Sequence, residues 1–89
     1  MEECMVAFSH KISDPNGLHA RNAAYLAKFG TTCECKVHAT CKGSTTDAKH
    51  LMGLMKLRAK CGDILDFRVE GKSEVKTAEE LKRLAGKLL

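Results

Sequence analysis

"NGLHARNAA", Asn16 to Ala24, sets a histidine directly after a Gly-Leu turn and directly before an Ala-rich helical run. Small oxygen-bearing side chains ordinarily start helices at such a joint, and none stands at position 19. A helix N-terminus offers unpaired N–H groups and a partial positive charge. An anion is well placed there and a cationic imidazolium is not. A histidine that turns anionic on modification therefore suits the joint better than one that stays cationic. Phosphorylation makes that change, adding about two negative charges near neutral pH. The donors would be the N–H groups of Ala20 and Arg21, with the Arg21 guanidinium able to reach a phosphoryl oxygen. No catalytic serine, cysteine or metal-ligand set adjoins His19 in sequence. Nucleophilic use of an imidazole nitrogen is then the simplest chemistry. On spacing alone, a surface histidine at a helix start is the competing reading.

Upstream of the joint, Val6, Phe8, His10 and Ile12 alternate with Ala7, Ser9, Lys11 and Ser13. That is the period of a half-buried strand, with His10 a partly buried structural histidine on its apolar face. "DPNG", Asp14 to Gly17, is turn chemistry. Downstream, the spacing predicts a helix from Ala20 to about Gly30, with Ala23, Leu26, Ala27 and Gly30 on one face. Gly30 followed by Thr31 and Thr32 weakens continuation. Cys33, Cys35, Val37, Ala39 and Cys41 alternate with Glu34, Lys36, His38 and Thr40, which predicts a second strand. "KGST" turns at Gly43, and a short third strand follows through Thr45 to Ala48. "LMGLMKL", Leu51 to Leu57, is a short helix. "KCGD" is a turn, and "DILDFRVEG" is a strand with Leu65, Phe67 and Val69 on one face. From Glu74 to Leu88 the chain is strongly amphipathic. Ala78, Leu81, Leu84, Ala85 and Leu88 line one side. Glu74 at the front and Lys82, Arg83 and Lys87 behind it suit the helix dipole. The order β-α-β-β-α-β-α predicts an α+β fold, one antiparallel sheet packed on one side by helices.

Composition narrows the function classes. The 89 residues allow a single domain, residues 1–89, with one modest core. A hydrophobic fraction of 44% with 29% charged residues reads as soluble and globular. Three Phe, one Tyr and no Trp argue against base-stacking surfaces. The net charge of +4 is spread out, without the basic cluster of a nucleic-acid patch. It provides mild steering toward acidic partners. The start "MEECMVAF" is acidic and lacks the apolar core of a signal peptide, and no run is long enough to span a bilayer. These features predict a cytoplasmic chain with no membrane or nucleic-acid partner. The five cysteines are an odd number, in keeping with a reducing compartment. Cys33, Cys35, His38 and Cys41 tempt a metal reading. Zinc ligands must converge on one tetrahedral point. A strand would carry His38 to the face opposite the thiols, so no metal is expected.

"NGLHARNAA" resembles the active-site signature of the histidine-containing phosphocarrier (HPr) family of the bacterial sugar phosphotransferase system, whose pattern reads Gly-Leu/Ile-His-Ala/Thr-Arg-Pro-Ala. "AKHLMGLMKL", Ala48 to Leu57, resembles the family's second motif, Lys-Ser-Ile-Met-Gly-Val/Leu-Met, in register and without a gap. "KCGDILDFRVEG" is similar to the segment that follows. The resemblance implies an open-faced β-sandwich, a four-stranded antiparallel sheet covered on one face by three helices. It implies a phosphoryl group accepted on Nδ1 of His19 from enzyme I and passed to an enzyme IIA domain for sugar uptake. The chain would then be a carrier with a phosphohistidine intermediate rather than a free-standing turnover enzyme, with no cofactor. Arg21 and the main-chain N–H groups of Ala20 and Arg21 would stabilise the phosphoryl group, and Asn16 and Gly17 would shape the turn beside it.

Leu54 and Leu57 suffice to bury a short helix, which leaves Leu51, Met52 and Met55 surplus. Exposed apolar groups mark docking surfaces, and methionine adapts to several partners. In the family this helix and the one after the histidine form the partner-binding face. The expected contacts are therefore Leu51, Met52 and Met55, with Ala20, Ala24 and Lys28 opposite.

Two residues depart from the family pattern. Asn22 stands where the family has proline, which predicts a helix that survives with a looser start. His50 stands where many members carry a regulatory serine, and an imidazole cannot accept a serine-kinase phosphate. His50 reads as a solvated helix-start residue, with a second phosphorylatable histidine as the alternative. The two departures motivate the alternative of a regulatory HPr-like binding module with reduced or no role in sugar phosphorylation.

Overall fold

A computed structural model describes residues 5–89; the acidic start through Cys4 lies outside the described residues. The elements run β1 (Met5–Lys11), α1 (Ala20–Thr32), β2 (Lys36–Cys41), β3 (Ser44–Asp47), α2 (Leu51–Lys56), β4 (Ile64–Glu70) and α3 (Glu74–Leu88). The strands form one antiparallel sheet in the order β1-β4-β2-β3. Period-two patterning decides its two faces. Leu65, Phe67 and Val69 of β4 and Val37, Ala39 and Cys41 of β2 are buried, while their alternates point outward. Phe67 pairs across the ladders with Phe8 and Ala39, which puts it at the centre of the sheet. The Phe8 and Phe67 rings stack at 5.2 Å between centroids. The Lys82 ammonium of α3 sits 5.5 Å from the Phe8 ring centroid, so α3 lies over β1. Leu26, Leu54 and Leu81 bring one apolar face of each helix to the same core.

The chain departs from its local pattern at the α1–β2 junction. The helix runs two residues beyond Gly30 and β2 begins at Lys36, so Cys33 and Cys35 lie outside the strand. The Thr31 hydroxyl donates to the Ala27 carbonyl at 2.9 Å and the Thr32 hydroxyl to the Phe29 carbonyl at 3.2 Å. Such bonds let threonine occupy a last helical turn despite its β-branch. Cys33 caps the helix, its N–H donating to the Phe29 carbonyl at 3.0 Å. Cys35 is buried all the same, its thiol 2.8 Å from the Lys72 carbonyl oxygen. The short third strand starts one residue early, at Ser44, and Leu57 caps α2 rather than extending it.

The four described cysteines are free thiols, with Cys61 exposed, Cys33 half-buried and Cys35 and Cys41 buried. Burial pushes the Cys41 and Cys33 thiols above the ordinary range, which lowers their thiolate fraction. Alkylation of the native protein is expected to modify Cys61 first, Cys33 more slowly and Cys41 only on unfolding. Site-resolved peptide mass spectrometry reads this order, and equal rates at Cys41 and Cys61 would contradict the core described above.

Long-range main-chain bonds hold the loop that carries the quoted stretch. Ile12 donates to Asp63 at 2.9 Å, Gly62 to Ile12 at 2.7 Å and Leu18 to Ala59 at 2.9 Å. The 60–63 turn is itself closed by the Lys60 N–H on the Asp63 carboxylate at 2.7 Å, with Lys42 at 2.9 Å. These two partners hold the Asp63 carboxyl below the ordinary carboxylate range.

Candidate functional site

His19 is the N-cap of α1, with φ −131° and ψ −179°, the extended backbone of a cap. Its carbonyl takes the first intrahelical bond, from Ala23 N–H at 2.8 Å. Its own N–H donates to Asn22 Oδ1 at 2.8 Å, and Asn22 Nδ2 donates to the Gly17 carbonyl at 2.9 Å. This is the capping-box arrangement with asparagine at the third helical position. The reciprocal approach of the His19 side chain toward Asn22 N–H stops short of a full cap bond. Asn22 is 3% exposed, so both of its bonds are sheltered from water. The expected loose start is therefore overturned. Asn22 replaces the rigidity of a proline ring with two hydrogen bonds that fasten the helix to the preceding turn. Ala20 and Arg21, both exposed, occupy the first turn, where N–H groups have no intrahelical partner.

Asp14 reaches the same histidine from the other side. Its Oδ2 lies 3.5 Å from His19 Nε2, with the two side chains 24% and 35% exposed. Its Oδ1 accepts the Asn16 N–H at 2.8 Å, and its carbonyl accepts the Gly17 N–H at 2.9 Å. Its own N–H donates to the Leu89 main-chain oxygen at 2.8 Å. Asn16 thus enters the turn through its main chain. Gly17 is buried with φ +67°, and a Cβ there would stand 2.6 Å from the Ala59 oxygen and 2.8 Å from Lys60 Cα. No residue but glycine fits that approach. Sequence reasoning treats Asp14 only as a turn former. Nothing in "DPNG" separates an aspartate that merely closes a turn from one that also meets the histidine five positions on.

The two helices beside the site pack closely against the β3–α2 segment. At Gly53 a Cβ would overlap the Thr46 side chain, and at Gly30 one would stand 3.0 Å from the Lys49 nitrogen. Ala20, Ala24 and Lys28 are exposed on α1. Leu51 is 39% and Met52 69% exposed on α2. Met55 differs from its expected exposure: it is half-buried and packs against the core, because it follows directly on Leu54, which is wholly buried. Tyr25, 52% exposed on α1, is an apolar surface group that the spacing argument passes over. His50 caps α2 and is exposed, with no side-chain cap bond. His38 is half-buried on the outer face of the sheet, and Nε2 of His10 is buried without a partner. Among the described residues, no three His, Cys, Asp or Glu side chains are grouped to hold a metal ion. No helix among them is long and apolar enough to cross a membrane.

The family model described as the PTS HPr component phosphorylation site matches residues 6–87. The chain belongs to the HPr family. Within it, the chain is 31% identical over 80 residues to the phosphocarrier protein HPr of Treponema pallidum, covering 90% of this chain and 91% of that one. The crystal structure of a phosphocarrier protein HPr from Bacillus anthracis superposes with a TM-score of 0.82 at 28% identity, over 96% of this chain and 98% of that one. The histidine-containing phosphocarrier protein of Mycoplasma gives a TM-score of 0.85 at 25% identity, over 89% and 90%. The four-stranded antiparallel sheet with three helices is thus the HPr fold. This HPr-family chain reaches it with Asn22 bonded into the cap of α1.

Proposed function

We propose that this chain is a phosphocarrier of the phosphotransferase system, in which Nδ1 of His19 accepts a phosphoryl group from phosphorylated enzyme I and passes it to an enzyme IIA domain for sugar uptake. The observation that carries the reading is the His19 ring at the N-terminus of α1, with Nε2 turned to Asp14. Nδ1 is the ring nitrogen left to attack. Attack requires the neutral imidazole, with a lone pair on Nδ1. The N–P bond on the donor breaks as the bond to Nδ1 forms, so positioning and charge stabilisation carry most of the reaction. The N–H groups of Ala20 and Arg21 and the Arg21 guanidinium would hold the phosphoryl oxygens. Enzyme I and the enzyme IIA domain would dock on Leu51, Met52 and the edge of Met55, against Ala20, Ala24 and Lys28. The purely regulatory alternative draws on Asn22 and His50; in favour of the carrier reading, the two bonds of Asn22 keep the start of α1 fastened without the family's proline.

Incubation with enzyme I and radiolabelled phosphoenolpyruvate is expected to give an acid-labile label on the native chain and none on His19→Ala. Label that survives the substitution, or no label on the native chain, would sink the reading.

A further inference from the structure

We propose that Asp14 is a positioning residue for phosphoryl transfer, its carboxylate holding the His19 ring in the tautomer with the proton on Nε2 and the lone pair on Nδ1. This rests on the reading of His19 as the phosphoryl acceptor. Both carboxylate oxygens have assigned places. Oδ1 accepts the Asn16 N–H at 2.8 Å, and Oδ2 faces His19 Nε2 at 3.5 Å. An ionised carboxylate can only accept hydrogen bonds. A neutral imidazole has one donor and one acceptor nitrogen, and the nitrogen that faces an acceptor carries the proton. The lone pair is thereby left on Nδ1.

The carboxylate cannot easily turn away. The Asp14 main chain is held by Gly17 N–H on its carbonyl and by its own N–H on Leu89. The His19 main-chain N–H is held by Asn22, which also grips Gly17. One turn therefore fixes the backbone of both partners and one oxygen of the carboxylate. At 3.5 Å the pair is looser than a full hydrogen bond, a carboxylate facing the N–H dipole of a neutral ring, and such contacts tighten as charge develops. When Nδ1 attacks, its lone pair becomes the new N–P bond and the electron pair of the broken N–P bond returns to the donor nitrogen. Nε2 keeps its proton, so the ring becomes cationic between the carboxylate and the phosphoryl group. Asp14 opposes that positive charge from the side of the ring away from the incoming anion. When the phosphoryl group moves on, Nδ1 recovers its lone pair and leaves as part of a neutral ring.

Asp14→Asn is the sharp variant. An amide that keeps its oxygen on the Asn16 N–H must place its NH₂, a donor, where Oδ2 stood. That arrangement favours the proton on Nδ1 and removes the attacking lone pair. In a serine-protease triad the same exchange installs the wrong tautomer with a very large loss of rate. Here the pair is about one-third exposed, so the expected loss is smaller, about tenfold in the initial rate of phosphoryl uptake from phosphorylated enzyme I. The ring-nitrogen chemical shifts of ¹⁵N-labelled, neutral His19 read the tautomer directly. The native chain is expected to carry the proton on Nε2, and Asp14→Asn to move it to Nδ1. Asp14→Ala removes the carboxylate without offering a donor, and is expected to give mixed tautomers and an intermediate rate. Unchanged ring shifts in Asp14→Asn, or native uptake rates in both variants, overturn the role of Asp14. Absence of uptake by the native chain overturns instead the phosphocarrier reading, while the ring shifts still decide whether Asp14 orders the histidine.

Discussion

Gly17→Val is expected to cost about 4 kcal/mol of folding stability, read as a lowered urea midpoint, and to abolish phosphoryl uptake. Two effects add. The residue has φ +67°, a region β-branched side chains strongly disfavour. Its Cβ would also meet backbone rather than a movable side chain, at Ala59 and Lys60. The turn cannot retreat, because Leu18 N–H is bonded to the Ala59 carbonyl and Gly17 N–H to Asp14. A small domain has only about 5 kcal/mol or a little more to lose, so much of the population would be unfolded or carry a displaced loop. Gly17→Ala is expected to lose about half as much. A Gly17→Val chain as stable as the native one would show that the turn is not packed as described.

Asn22→Leu is expected to cost about 3 kcal/mol, since it leaves the His19 N–H and the Gly17 carbonyl unpaired beside a buried apolar group. Asn22→Pro is the informative companion. It restores the family residue and removes the same two bonds, yet proline suits a first helical turn and stiffens the unfolded chain. Its net loss is expected to be only about 1 kcal/mol. The ordering native, then proline, then leucine can be read from urea denaturation curves. Equal stability of Asn22→Leu and the native chain would mean that the two side-chain bonds contribute nothing.

The alternation of Leu65, Phe67 and Val69 and the spacing of Ala78, Leu81 and Ala85 are local properties, and the burial of each follows them. At Cys33 and Cys35 the same alternation misleads. Helix and strand patterns overlap there, and the threonine hydroxyls that extend α1 find their carbonyls only once the helix exists. Met55 likewise counts as surplus by spacing and is drawn partly inward beside Leu54.

By itself, the order of residues determined the seven elements, the inward face of the longer strands and of the two long helices, and a histidine at a helix start beside Ala20 and Arg21. Periods of two and of about 3.6 residues are written into neighbouring positions, and so is the joint between a turn and a helix. Only the tertiary structure decided the strand order β1-β4-β2-β3, the burial of Gly17 against Ala59 and Lys60, the two partners of Asn22 and the meeting of Asp14 with His19. Each of these depends on where the backbone places a polar atom in space. A carboxylate that closes a turn and one that also meets a histidine ring have the same local sequence, and differ only in what lies within reach.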